Sequence, residues 1–196
     1  MATFAELLAD VYTLTKRPDL VSDTKLAVKA ATLKAHQLDF FYKDLKEQGV
    51  MFSTSKLIQT LEYRSLFPRY RSVKYIRKSD VTGFTGAFLT LITPAQSLDR
   101  YNYQKADVFY GAGETLQIKS STDLQYIFFG YYENPDITEE GYNSWVALDH
   151  QYAIVYEAAA TIYKMIGQDE QSTMYKRLCD EQIQSLKQSN ILAEGY

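Results

Sequence analysis

The chain has 196 residues, 46% of them hydrophobic and 23% charged, with a formal net charge of −3. That is long enough for one domain with a sizeable core and too apolar for intrinsic disorder. One cysteine and two histidines exclude a disulfide framework, a multi-cysteine zinc site and a His-rich metal centre.

Taken in chain order, Phe4, Leu7, Leu8, Val11 and Tyr12 recur at helical spacing and predict a helix over 3–15. Pro18 stops it, because the residue before proline is pushed out of the α region. Ser22 and Asp23 are candidate N-caps for a second helix over roughly 23–47, whose face runs Leu26, Ala27, Ala30, Ala31, Leu38, Phe41 and Leu45. Gly49 is its natural stop.

From about residue 55 the period changes from helical to alternating. Leu57, Leu61 and Tyr63 face one way, and Val73, Tyr75 and Arg77 alternate with Lys74 and Ile76. Residues 106–110 and 114–119 flank Gly111-Ala112-Gly113, a hairpin signal because glycine accepts positive φ at no steric cost. Ser120–Asp123 turns into the aromatic run 125–132, which Asn134-Pro135-Asp136 ends. This predicts an antiparallel sheet or small barrel of five or six strands over 55–135.

Helical period returns after Tyr142, with Trp145, Leu148, Tyr152, Val155, Tyr156, Ala159, Ile162, Tyr163 and Ile166 on one face. Gly167 closes this helix and Asp169 caps the last one, over roughly 169–188, leaving 190–196 as an extended tail. The expected fold class is α+β: terminal helices in one bundle (1–50 and 142–189), with the β-rich segment inserted between the second and third of them.

Catalytic signatures are missing. Gly83-x-x-Gly86 and Gly111-x-Gly113 have the wrong spacing for a phosphate loop, and neither a Gly-x-Ser-x-Gly elbow nor a His-Glu-x-x-His pair occurs. His36 and Asp39 read as a helix-surface pair, Asp149 and His150 as capping or surface residues, and Cys179 as a small buried residue. The expectation is therefore no enzyme, no catalytic residue, no cofactor and no metal. The acids in the N-terminal stretch also speak against a signal peptide, and no run is long enough for a membrane helix.

Two patterns point to partners. Residues 1–119 hold 17 Lys and Arg against 12 Asp and Glu, whereas 120–196 hold 4 against 12. Opposed halves of this kind suit either pairing within the chain or head-to-tail contacts between copies. Residues 63–132 also contain 15 of the chain's 27 tyrosines and phenylalanines, more than one small sheet face buries, and such residues are enriched at interfaces. Arg69, Arg71, Lys74, Arg77, Tyr131, Tyr132, Glu133 and Asp136 are the candidate subunit or tail contacts. The alternative is a nucleic-acid-binding module on the basic, aromatic segment 63–78.

The chain resembles the head-to-tail adaptor (neck or connector) proteins of tailed bacteriophages, including the tail tubular A-like adaptors. The resemblance rests on Phe4–Thr15 leading through Arg17-Pro18-Asp19 into a helix ending His36-Gln37-Leu38-Asp39-Phe40-Phe41, and on the tyrosine-rich β middle. It rests also on Tyr142-Asn143-Ser144-Trp145-Val146 opening a helix with Ala153, Ala158, Ala159 and Ala160, and on the Ile166-Gly167-Gln168-Asp169-Glu170 junction. It implies a ring, typically of twelve copies, in the virion neck between the portal protein and a tail or nozzle protein, with genomic DNA passing through without sequence specificity. It makes Ile191, Leu192 and Tyr196 the candidate portal contacts.

Overall fold

The computed structural model describes residues 3–54, 59–79, 85–122 and 124–194. Leu57, Gly83, Asp123 and Tyr196 lie outside them, and the side chains of Ile191 and Leu192 are likewise not described. The fold is α+β. It opens with α1 (Phe4–Thr15), α2 (Val21–Gln37), β1 (Leu45–Thr54), β2 (Gln59–Leu61), α3 (Tyr63–Leu66), β3 (Tyr70–Ser79), β4 (Thr85–Phe88) and β5 (Thr90–Leu91). It continues with β6 (Val108–Ala112), β7 (Thr115–Lys119), β8 (Leu124–Glu133), α4 (Trp145–Asp149), α5 (Gln151–Met165) and α6 (Asp169–Glu194). Two compact units result: Met1–Asp44 with Asn134–Tyr196, and Leu45–Glu133.

In the helical unit, Thr3 and Glu6 form a reciprocal capping box at the start of α1, with Thr3 N–H on Glu6 Oε2 at 2.7 Å. Lys16, left-handed at φ 54°, ends it. The second helix departs from expectation at both ends. It starts at Val21 with no side-chain cap, and it stops at Gln37, well before the expected end. Its buried face is Thr24, Ala27, Val28, Ala31, Thr32, Ala35 and His36, whereas Leu26 is 68% exposed. Thr32 enters this face with its hydroxyl satisfied, since Oγ1 donates to Val28 O at 2.8 Å and meets Tyr142 Oη at 2.7 Å. The alanines let α2 pack closely on α5, which buries Ala153, Ile154, Val155, Ala158 and Ile162.

The expected single helix after Tyr142 is broken at His150, at φ −140° and ψ 49°, so Leu148 and Tyr152 fall outside the core face. The α5–α6 junction follows the glycine signal: Gly167 N–H bonds Lys164 O at 3.2 Å and Gln168 N–H bonds Tyr163 O at 2.9 Å, a Schellman closure. Helix α6 runs through residues 190–194, where an extended tail was expected.

Glu157 ties three helices together, pairing with Lys34 of α2 and with Lys176 of α6 at 2.6 Å. Burial alone would raise its pKa, but the hydrogen bonds from Lys176 and Lys34 bring it below the ordinary value. Next to it Cys179 is 1% exposed, and burial followed by the Glu157 charge pushes its thiol up to about 12. Cys179 is therefore expected to resist a thiol-directed disulfide reagent in the native chain and to react fully once denaturant opens the helices. Rapid native labelling would contradict this packing.

The β unit holds two four-stranded sheets, ordered β1-β8-β3-β4 and β2-β7-β6-β5. This corrects the expected single sheet or barrel of five or six strands. All pairs are antiparallel except β5 with β6. Both sheets feed one core: Ile76, Ile127, Phe129 and Tyr131 from the first, and Leu61, Phe109, Leu116 and Ile118 from the second. The hairpin at Gly113 (φ 64°) joins β6 to β7 with Ala112 opposite Thr115, as its glycines predicted. Gly49, expected to stop a helix, instead sits within β1 opposite Phe128, beneath the Tyr126 ring. In β3, a register shift between Val73 and Tyr75 inverts the alternation, so Val73 and Ile76 both face the core while Tyr75 and Arg77 face outward.

Candidate functional site

His36 is not a surface residue. It lies near the end of α2, 2% exposed, on the buried side of the helix rather than beside Asp39. Its Nδ1 meets Asp44 Oδ1 at 2.7 Å and its Nε2 meets Ser144 Oγ at 2.9 Å. Trp145 Nε1–H donates to the same Asp44 oxygen at 2.7 Å. The Asp44 oxygen thus receives the Trp145 N–H and faces Nδ1, while Nε2 and the Ser144 hydroxyl share the second bond of the ring.

These residues follow the order of a nucleophile, base and orienting acid, yet Ser144 and Trp145 also have structural tasks. Ser144 Oγ also accepts Ala147 N–H at 3.1 Å and so caps α4, and Ser144 is only 5% exposed. Trp145 packs edge-on against His36 and Phe41, at 5.5 Å and 5.2 Å between centroids. The cluster fastens α2, the turn at 42–44 and α4 to one another. Sequence spacing gave no sign of it, because His36 and Ser144 are 108 residues apart.

On its outer side, Tyr42, Lys43, Trp145, Asp149, His150 and Ser189 enclose a cavity of about 220 Å³. Lys43 pairs with Asp149 at 2.6 Å, and His150 Nε2 lies 3.3 Å from Ser189 Oγ. Burial, the largest influence, lowers the His150 pKa below its ordinary value. A second cavity of about 230 Å³ is bordered by Phe4, Glu139, Glu140, Tyr142, Ser144 and Leu148. Among the described residues no cluster of three metal-ligating side chains occurs, and no helix is long and apolar enough to cross a membrane.

The residues expected at subunit or tail contacts are dispersed. Tyr131 and Tyr132 are each 5% exposed, so their rings are interior rather than available to a partner. Tyr131 packs on Phe67 at 4.5 Å, and the Lys74 ammonium lies over Tyr132 at 5.8 Å. Arg69 pairs with Glu133 of its own chain at 3.0 Å, and Asp136 accepts Thr138 N–H at 2.9 Å in a local turn. Glu139 holds Lys25 at 2.7 Å and Lys29 at 3.4 Å. The carboxylates of Glu133 and Glu139 are thus engaged within one chain.

Arg71 and Lys74 lie on β3, with Lys74 exposed, and Arg77 reaches across β8 to Glu47 of β1. Tyr75 Oη donates to the same carboxylate at 2.6 Å, Arg77 covers the Phe128 ring at 5.1 Å, and Tyr75 meets Phe88 edge-on at 5.4 Å. This outer face brings together Tyr75 and Arg77 and leaves Arg69 at the strand's far end. Ile191 and Leu192 fall on the last turns of α6.

What the sequence reading missed is a short hairpin between β5 and β6. Leu98 pairs with Gln104, Asp99 N–H bonds Tyr103 O at 2.8 Å, and Lys105 N–H bonds Ser97 O at 2.9 Å. Asp99 Oδ1 accepts from both Tyr101 N–H at 2.7 Å and Tyr103 N–H at 2.9 Å, and Asn102 takes φ 66° at the tip. The result displays Tyr101 at 63% and Tyr103 at 73% exposure. The available signal was Asp99 followed by Asn102, turn residues inside an otherwise aperiodic stretch.

Charge follows the two units. Residues 45–133 hold 11 Lys and Arg against 8 Asp and Glu, a balance of +3, and the helical unit holds 10 against 16, a balance of −6. Compared with known proteins, the chain matches no protein-family model and no curated sequence.

Proposed function

We propose that the chain is a non-enzymatic structural subunit of a tailed-phage neck, a head-to-tail adaptor forming a ring between portal and tail around the path of the genome. One observation carries the reading most. The β unit has a complete core of its own, yet Phe88, Leu91, Leu98, Tyr101 and Tyr103 stand 43–73% exposed within one stretch of chain. Exposed large apolar groups at this density along one segment suit a surface that a partner covers. The division of charge between a basic β unit and an acidic helical unit favours heterologous contacts, which close into rings when the rotation permits. The family resemblance along the chain supports the same reading.

A nucleic-acid module on residues 63–78 ranks second. Arg69, Arg77 and Lys78 are each engaged by a carboxylate of their own chain, which lowers the charge the segment can offer to phosphates. The test is to assemble particles without this chain and image them. DNA-filled heads lacking tails are expected. Particles with tails attached and genome retained would contradict the proposal.

A further inference from the structure

The inference rests on the ring reading above and names the contact between copies. We propose that Arg100 and Tyr101, at the tip of the 97–105 hairpin of one copy, dock into the cavity bordered by Phe4, Glu140, Tyr142 and Leu148 on the helical unit of a second copy.

The hairpin is built for display. Its backbone hydrogen bonds and the two N–H groups held by Asp99 hold a single conformation, while its side chains Tyr101 and Tyr103 contribute little to the core. A pre-ordered loop presenting tyrosine and arginine loses little entropy on binding, and these residue types dominate interface energetics. The Arg100 guanidinium lies over the Tyr101 ring at 4.6 Å and makes no ion pair among the described residues. The two side chains form one aromatic-cationic unit.

The cavity has the complementary character. Its volume of about 230 Å³ is below the roughly 300 Å³ at which small-molecule sites begin, so it suits a single side chain. Tyr142, half-buried and backed by the core residue Phe4 at 5.3 Å between centroids, contributes its aromatic wall, and Leu148, 50% exposed, contributes an aliphatic one. Glu139 and Glu140 border it; Glu139 is held by Lys25 and Lys29, whereas Glu140 makes no ion pair among the described residues. A tyrosine entering against Tyr142 and Leu148 would bring the adjoining arginine toward Glu140. The basic unit of one copy thereby meets the acidic unit of the next, which makes the contact heterologous.

The test uses the full chain. Benzoylphenylalanine at position 101 is irradiated in a mixture with a copy labelled with heavy nitrogen, and crosslinked peptides are identified by mass spectrometry. The expected product joins position 101 of one copy to 139–148 or to the start of α1 of the other; crosslinks elsewhere, or none, overturn the contact. In parallel, R100E/Y101A and E140Q/L148A are each expected to weaken self-association at least about thirtyfold, the scale of a lost tyrosine-arginine anchor. Mixed, they are expected to form one-to-one dimers and nothing larger, because the pair retains one intact tip and one intact cavity. Rings that persist in R100E/Y101A refute this contact and leave the ring; a wild-type chain that stays monomeric with portal present refutes both.

Discussion

Replacing His36 by alanine is expected to destabilise the helical unit by about 3–5 kcal/mol and to lower its thermal midpoint by roughly 10 °C. Three effects add. The ring leaves a void among Phe41, Trp145 and α4, the Ser144 hydroxyl loses its hydrogen-bond partner, and Asp44 loses one of its partners while 4% exposed. Uncompensated polar atoms in a buried setting cost more than the hydrogen bond itself contributed. Asp39→Asn, at the exposed position that sequence spacing pairs with His36, is expected to stay within about 0.5 kcal/mol of wild type. Calorimetry of both variants separates the two pairings. An H36A chain within about 1 kcal/mol of wild type would show that the buried cluster does not fasten the unit.

Gly130→Ala is expected to destabilise the β unit by about 2 kcal/mol. A Cβ at Gly130 would stand 2.5–2.8 Å from three atoms of the Tyr75 ring. The ring cannot retreat cheaply, since its hydroxyl is bonded to Glu47 at 2.6 Å and its edge rests against Phe88. The backbone of Gly130 is also held, opposite Glu47 on one side and Tyr75 on the other. In a Tyr75→Ala background the same substitution is expected to cost less than about 0.5 kcal/mol, a coupling of about 1.5 kcal/mol. Urea unfolding of the four chains measures it. Strict additivity would mean that the clash is not what Gly130 avoids.

The local signals in the sequence were reliable where the physics is local. Helix α1 begins at the Thr3–Glu6 capping box, the β6–β7 hairpin turns at Gly113, and the α5–α6 junction closes at Gly167, each within a few residues of expectation. The misreadings lie where distant chain decides. Residues 45–49, Leu-Lys-Glu-Gln-Gly, are mostly good helix formers that prolong the pattern of α2, but they pair with Tyr132 through Phe128 as an edge strand. Pairing across the sheet outweighs intrinsic preference there. The phase error in β3 has a similar origin, because the bulge after Val73 is set by register against β8. His36 illustrates the same limit at the level of the site: its partners Asp44 and Ser144 come from a turn and from a helix cap, and only the fold assembles them.

The aromatic density of 125–132 suggests a contact surface, yet Tyr131 packs in the core of the β unit and Tyr132 is also buried. Two sheets with one shared core absorb more aromatic surface than a single sheet would. Among the residues left outside are Phe88, Leu91, Leu98, Tyr101 and Tyr103, from stretches with little periodicity to mark them. Aromatic composition therefore reports an interface only after the core has taken its share.

The adaptor reading is tested most directly by electron microscopy of the purified chain mixed with portal protein. A ring of this chain stacked coaxially on the portal, with an open axial channel, is the predicted result. Bare portal rings beside a chain that remains monomeric would contradict it.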